Sequence, residues 1–277
     1  MDFMTDRDVQ KECDELRQRM GDMVRRWTSP KHCRTTFSTN HDEQLKAQAS
    51  SKHTVQEAQT ISSPVETRSA FSLRKEFLTT KGIHRTKTEV LNKVGHALHA
   101  YEPLYKQVTH SPKVQGLARK LGLVSPVILQ SMFIFKQPGI GGEVTPHQDA
   151  TFLHTEPLGR VMGLWIALED ATENNGCLWF IPHSHNSGIS RRMVRTPKGT
   201  YPMTDFTGRE QTYNEQKFSR SVVLIDGEVV HRSSENTSED SRHVYTFHIM
   251  ESQDTRWSPE NWLQPTEELP FPQLYTK

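Results

Sequence analysis

Ser221-Val222-Val223-Leu224-Ile225-Asp226-Gly227-Glu228-Val229-Val230-His231 reads as two short β-strands separated by a turn at Gly227, and Arg242-His243-Val244-Tyr245-Thr246-Phe247-His248 follows as a third. β-Branched and aromatic residues suit a pleated, half-buried surface, and the flanking Gly, Ser and Asn break the runs. The same period of two sets in after Gly122. Candidate strands cover 127–135, 143–147, 161–168, 176–181, 189–194, 221–226, 228–233 and 242–250. No repeat is visible. This series behind a helical N-terminal part predicts a mainly β chain, a double-stranded β-helix or jelly roll of the cupin kind, whose mouth can enclose a metal or a small ligand. A β-sandwich without a site remains the alternative at this point.

Upstream of Gly122 the period is helical. Cys13, Leu16, Met20, Met23, Val24 and Trp27 fall near one face of an amphipathic helix over 13–27. Val90, Leu91, Val94, Ala97 and Leu98 give another helical stripe, and Ser111-Pro112 opens a helix that Gly122 closes. Residues 38–75 are rich in Ser, Thr, Gln and Lys without a lasting period, and read as a linker or poorly ordered insert. The chain thus divides into a helical N-terminal segment over 1–87, carrying the insert, and a β-helix domain with packing helices over 88–277. Residues 1–90 hold 5 of the 23 aromatics, which places the main core in the second part.

The 277 residues carry 34 basic against 33 acidic side chains, a net charge of +1, so the clustered basic footprint of a nucleic-acid or acidic-membrane binder is not expected. No apolar run approaches the ~18–20 residues of a membrane span, and the charged start at Met1–Gln10 lacks a signal-peptide core. Cys13, Cys33 and Cys177 are odd in number and widely spaced, which suits reduced thiols, and Tyr275-Thr276-Lys277 is not a peroxisomal address. The expected location is cytoplasmic.

The chemistry centres on Pro146-His147-Gln148-Asp149 at the end of a short strand. Side chains two apart on a strand share a face, so His147 and Asp149 can meet one metal. With 14 histidines and 33 acidic residues, such pairs also arise by chance, as at His41/Glu43 and His154/Glu156. The company of His147 decides between them: a buried strand delivers His231, and Arg242 opens the next strand. Two histidines and one carboxylate with open coordination positions make the facial triad of non-haem Fe(II) oxygenases, and Arg242 offers a fork for a carboxylate beside the metal. The same ligands also suit Zn²⁺ hydrolysis, a reading that leaves Arg242 without a role.

Leu91–His99, Gln130–Pro138, Pro146–Asp149, Gly176–Pro182 and Trp257–Trp262 together resemble the phytanoyl-CoA dioxygenase family, nearly continuously over 88–277. The resemblance implies Fe(II) held by His147, Asp149 and His231, 2-oxoglutarate as cosubstrate, and O₂. It implies that Arg242 and Ser233 hold the distal carboxylate of 2-oxoglutarate, with Lys93, Met132 and Trp165 lining it. Succinate and CO₂ would be released as a small-molecule substrate is hydroxylated. A relative that binds metal and 2-oxoglutarate without turnover is the alternative within the same fold. The chain departs from the family in its N-terminal third, where an initial apolar strand and an aromatic-rich strand segment are replaced, so one sheet edge is expected to be missing or rebuilt. His183 stands where the family commonly has Gly, and His183-x-His185 is expected to make surface hydrogen bonds. Arg191, Arg192, Arg195 and Lys198 cluster near the expected rim, where an acyl-CoA phosphate or another anion would dock.

Overall fold

Two sheets face each other. The larger has seven strands in the order β1 (Arg34–Phe37), β2 (Ala70–Arg74), β3 (Leu91–His96), β4 (Pro126–Lys136), β14 (Arg242–Glu251), β7 (Val161–Ala167) and β12 (Leu224–Asp226). The smaller runs β11 (Ser219–Arg220), β8 (Leu178–Phe180), β13 (His231–Ser233) and β5 (Val144–His147). Two antiparallel pairs lie apart from these sheets: β9 (Arg191–Arg195) with β10 (Thr204–Gly208), and β6 (Thr155–Glu156) with β15 (Arg256–Trp257). The structure, a computed structural model, describes residues 6–26, 34–37, 70–74, 91–139, 141–197, 204–209, 212–213, 219–220 and 224–276. Among them no helix is long and apolar enough to cross a membrane.

Alternation on the central strand β14 builds the two layers. Val244 packs with Trp165 and Ile225 of the larger sheet against Leu178 of the smaller, closing the expected jelly roll. Tyr245, Phe247 and Ile249 point the other way, into a second layer made by helices. α1 (Asp6–Arg26) lays Cys13, Leu16, Met20 and Val24 into that layer. It is fastened by Arg17 Nη1 to Glu169 Oε1 at 2.6 Å, and by Tyr105 Oη, which donates to the Leu16 carbonyl at 2.8 Å. α2 (Leu98–Tyr101), α3 (Pro103–Thr109) and α4 (Pro112–Lys120) complete it. The buried Glu102 carboxylate caps α3 by accepting from the Leu104 and Tyr105 amides, and takes Arg19 Nε at 2.6 Å from α1.

Three sequence expectations are corrected. The stripe Leu91, Val94 and Ala97 is not a helix: residues 91–96 form β3, and the helix α2 begins only at Leu98. Leu73 faces Leu91 while Ser72 faces Lys93, so the strand shifts register across Asn92 and both Leu91 and Val94 reach the core. A bulge inserts one residue and thereby mimics a helical spacing of three. The polar stretch 38–75 contains strand β2 at Ala70–Arg74, with residues 38–69 outside the described set. The sheet edge expected to be missing or rebuilt is formed by these short strands, where β1 pairs with β2 in parallel and β2 with β3 antiparallel. These strands are too short for a local pattern to announce them, and pairing to β3 decides their state. The first helix is longer than expected, starting at Asp6, and Trp27 lies outside the described residues.

Leu16 is 1% exposed and sits in the same apolar cluster as Phe133 and Tyr245. Leu16→Ala is therefore expected to lower global stability by about 2–5 kcal/mol. Urea unfolding followed by far-ultraviolet circular dichroism measures it, and an unchanged midpoint would mean that α1 is not part of the core.

Candidate metal centre

His147 ends β5 and His231 opens β13, and the two are direct cross-strand partners with ring centroids 4.3 Å apart. After β5 the chain turns into a short 3₁₀ segment, Asp149–Thr151, held where the Ala150 amide donates to the Gly227 carbonyl at 2.8 Å. Asp149 is thereby swung beneath both rings. Its Oδ1 lies 3.8 Å from His147 Nε2 and 3.8 Å from His231 Nε2. One ligand atom from each residue falls within 4.8 Å of the others, the one group of this kind among the described residues.

The histidines are oriented by their own backbone. His147 Nδ1 lies 2.8 Å from the Thr145 carbonyl and His231 Nδ1 lies 3.0 Å from that of Val229. Each Nδ1–H donates there, which leaves the Nε2 lone pair directed at the Asp149 side. Burial, reinforced by His231, pushes His147 down to about 4, so its ring is a neutral donor at physiological pH. Burial alone would raise the Asp149 carboxyl, but His248 and His231 outweigh it and hold the group below the usual carboxylate range. His147 and Asp149 are thus in the protonation states that a divalent cation requires.

A second polar group lies at the start of β14. Arg242 is 2% exposed, and its Nη2 reaches Ser233 Oγ at 3.3 Å. Lys136, its cross-strand partner, donates from Nζ to the same hydroxyl at 2.5 Å, and Ser233 Oγ donates to the Gly176 carbonyl at 2.7 Å. Arg242 Nε is buried without a hydrogen-bond partner, and among the described residues no carboxylate pairs with this guanidinium. Burial pushes it down to about 10, Cys177 and Glu169 opposing. An orphaned N–H on a buried cation is a vacancy of the kind that an anionic ligand fills.

The other expected ligand-lining residues fall on the same sheet. Thr246 of β14 has Met132 of β4 on one side and Trp165 of β7 on the other, and the Trp165 ring lies 5.2 Å from Arg242 Cζ. Lys93 stands on β3 opposite Ile134, on a strand and not on the expected helix, where burial pushes its amine down to about 8. An anion beside it would draw the proton back.

Sequence reasoning missed the neighbours that hold this centre. His248 Nε2 lies 3.0 Å from Asp149 Oδ2, and behind it stand Gln130 and His96. The available signal was parity, since His248 shares a face of β14 with Val244 and Thr246. Toward the rim, Phe152 stands edge-on to His147 at 6.0 Å and to Phe206 at 6.2 Å, and Arg191 Cζ lies 4.0 Å over the Phe206 ring. Arg192 is held by Ser258 Oγ at 2.9 Å and Glu260 at 3.2 Å, while Lys198 lies outside the described residues. His183 and His185 are exposed, with ring centroids 6.4 Å apart.

Comparison with known proteins places the chain. A family model described as Phytanoyl-CoA dioxygenase (PhyH) matches residues 7–244. A Danio rerio protein described as "Phytanoyl-CoA dioxygenase domain-containing protein 1" is 60% identical over 298 residues, covering 100% of both chains. A Bos taurus protein of the same description is 54% identical over 271 residues, 96% of this chain and 91% of its own. Among solved structures, the epimerase SnoN in complex with Fe³⁺, alpha ketoglutarate and nogalamycin RO is similar with a TM-score of 0.50 at 15% identity, over 72% of this chain and 85% of that one. That likeness is one of fold.

The Ser233 hydroxyl is shared by two buried cations, Lys136 and Arg242. Ser233→Ala is expected to cost about 1–3 kcal/mol of folding stability, because both donors lose a buried acceptor. Urea denaturation reads the change, and a loss below about 0.5 kcal/mol, the scatter of surface substitutions, would contradict it.

Proposed function

The chain belongs to the phytanoyl-CoA dioxygenase family, and from that premise we propose that it is an Fe(II)- and 2-oxoglutarate-dependent oxygenase acting on a small-molecule substrate. The observation that carries the reading is the convergence of His147, Asp149 and His231 within 4.8 Å of one another. Two imidazoles and one carboxylate leave coordination positions open for a cosubstrate and O₂. Iron and 2-oxoglutarate, when bound, supply the oxidising chemistry, in which decarboxylation to succinate and CO₂ accompanies hydroxylation of the substrate.

The protein's own residues bind, orient and exclude water. His147, Asp149 and His231 hold the metal. Arg242 and Ser233 take the distal carboxylate of 2-oxoglutarate, which gives the orphaned Arg242 Nε an acceptor. Lys93, Met132 and Trp165 line the same ligand, Lys93 through its charge and the other two through apolar contact that keeps the site dry. A zinc-dependent hydrolase would use the same three ligands but would leave the buried guanidinium without a counter-charge. Residues 88–277 form the oxygenase unit, with the segment 1–87 adding the helix that covers its larger sheet. An anionic substrate group, an acyl-CoA phosphate included, would dock at the rim cluster of Arg191, Arg192, Arg195 and Lys198, where Glu260 already pairs with Arg192.

Fe(II)-loaded protein supplied with 2-oxoglutarate and air is expected to form succinate, and Asp149→Ala to form none and to lose metal. Metal retention with succinate absent under every condition would favour a relative that binds without turnover. Arg242→Leu is expected to weaken 2-oxoglutarate roughly 10–150-fold, the value of a charge-assisted contact of about 1.5–3 kcal/mol, while leaving metal affinity unchanged. Calorimetry of both ligands separates the two, and equal losses would make Arg242 a structural residue.

A further inference from the structure

A carboxylate beside a divalent cation can offer one oxygen or two, and the choice decides how many coordination positions stay open. Asp149 divides its oxygens between the sheets. Oδ1 faces His147 and His231 of the smaller sheet, whereas Oδ2 lies 3.0 Å from His248 Nε2 on the larger.

His248 is held for this contact from behind. Gln130 Nε2 lies 3.4 Å from His248 Nδ1, and Gln130 Oε1 lies 2.6 Å from His96 Nδ1. An amide can donate only through its nitrogen and accept only through its oxygen, so the chain has one direction. His96 Nδ1–H donates to Gln130 Oε1, Gln130 Nε2–H donates to His248 Nδ1, and His248 Nε2–H donates to Asp149 Oδ2. The far ring is braced edge-on by Trp262 at 4.9 Å. His248 and Gln130 are 4% and 5% exposed, so water has little access to take either place.

The sheet is shaped to admit this arrangement. Gly163 of β7 is the cross-strand partner of His248, and a Cβ there would stand 3.4 Å from both Asp149 Oδ2 and His248 Nε2. A methyl there would just touch both groups, so the glycine leaves the pair room.

We propose that His248, fixed by Gln130 and His96, is a positioning residue that occupies Asp149 Oδ2 and so confines the carboxylate to a single metal bond through Oδ1. The inference rests on the metal reading above. Without His248, Oδ2 loses the side-chain donor that occupies it, and a cation bound at Oδ1 would be close enough to take that place. The carboxylate would then take a second coordination position, and the bidentate cosubstrate would have to compete for it.

The test uses the full chain loaded with Mn(II), whose exchangeable waters are counted by water-proton relaxation, followed by calorimetric titration of 2-oxoglutarate without O₂. His248→Leu is expected to bind Mn(II) at least as tightly as the native protein, to lose about a third of the relaxation enhancement as one of three open positions closes, and to bind 2-oxoglutarate at least tenfold more weakly. His248→Gln, which retains a side-chain N–H donor, should restore most of both. Gln130→Leu, which loosens His248 without removing it, should shift both readouts in the same direction by less, and it keeps the question answerable if His248→Leu does not fold. Unchanged relaxation and 2-oxoglutarate affinity in the folded Leu variants would overturn the role of His248. So would a parallel loss of metal and 2-oxoglutarate that Gln does not rescue, since that is the mark of general damage. Failure of the native protein itself to bind Mn(II) would instead remove the metal reading, and this inference with it.

Discussion

The carboxylate of Asp149 stands between the two sheets, beside residues of both, and the arrangement of the centre depends on that shared position. The two histidines come from one sheet, where strand register makes His147 and His231 neighbours. The hydrogen bond to Asp149 Oδ2 comes from the other, through His248. Side chains alternate along a strand, so a slip of one residue in β5, β13 or β14 would turn its side chain to the opposite face and dismantle the group. The apolar cluster joining Trp165, Ile225 and Val244 to Leu178 fixes the spacing between the sheets across which these contacts must reach.

The Arg242 end answers to a different constraint. A buried guanidinium is costly unless its donors are met, and here Ser233 meets one while Nε goes without. No backbone carbonyl among the described residues supplies the missing acceptor. Stability alone gives no reason for such a residue. A ligand with a carboxylate at that point does, and the low-dielectric surroundings that make the cation expensive also make the eventual ion pair strong.

Most of the sheet and the convergence of His147, Asp149 and His231 were legible from sequence, because period two is a local signal and the pair His147/Asp149 lies within a single turn of chain. Ser233 entered only through the family resemblance, with its parity to His231 in agreement. What escaped reading depends on partners far away in the chain. The bulge at Asn92 imitated a helix because a register shift is visible only once β2 is placed beside β3. His248 and Asp149 are 99 residues apart, and nothing local distinguishes a histidine that contacts a carboxylate from one that fills a core. The rim arginines read as a cluster, yet Arg192 finds Glu260 from a segment 68 residues downstream.

The account stands or falls on whether the three converging ligands hold a metal that also accepts a chelating oxo acid. Addition of 2-oxoglutarate to Fe(II)-loaded protein in the absence of O₂ measures this directly. A weak visible absorption band that saturates at one equivalent is the result predicted, because it arises only when the oxo acid binds the iron through two atoms. Stoichiometric iron without any such band, at 2-oxoglutarate concentrations far above saturation of other binding signals, would contradict it.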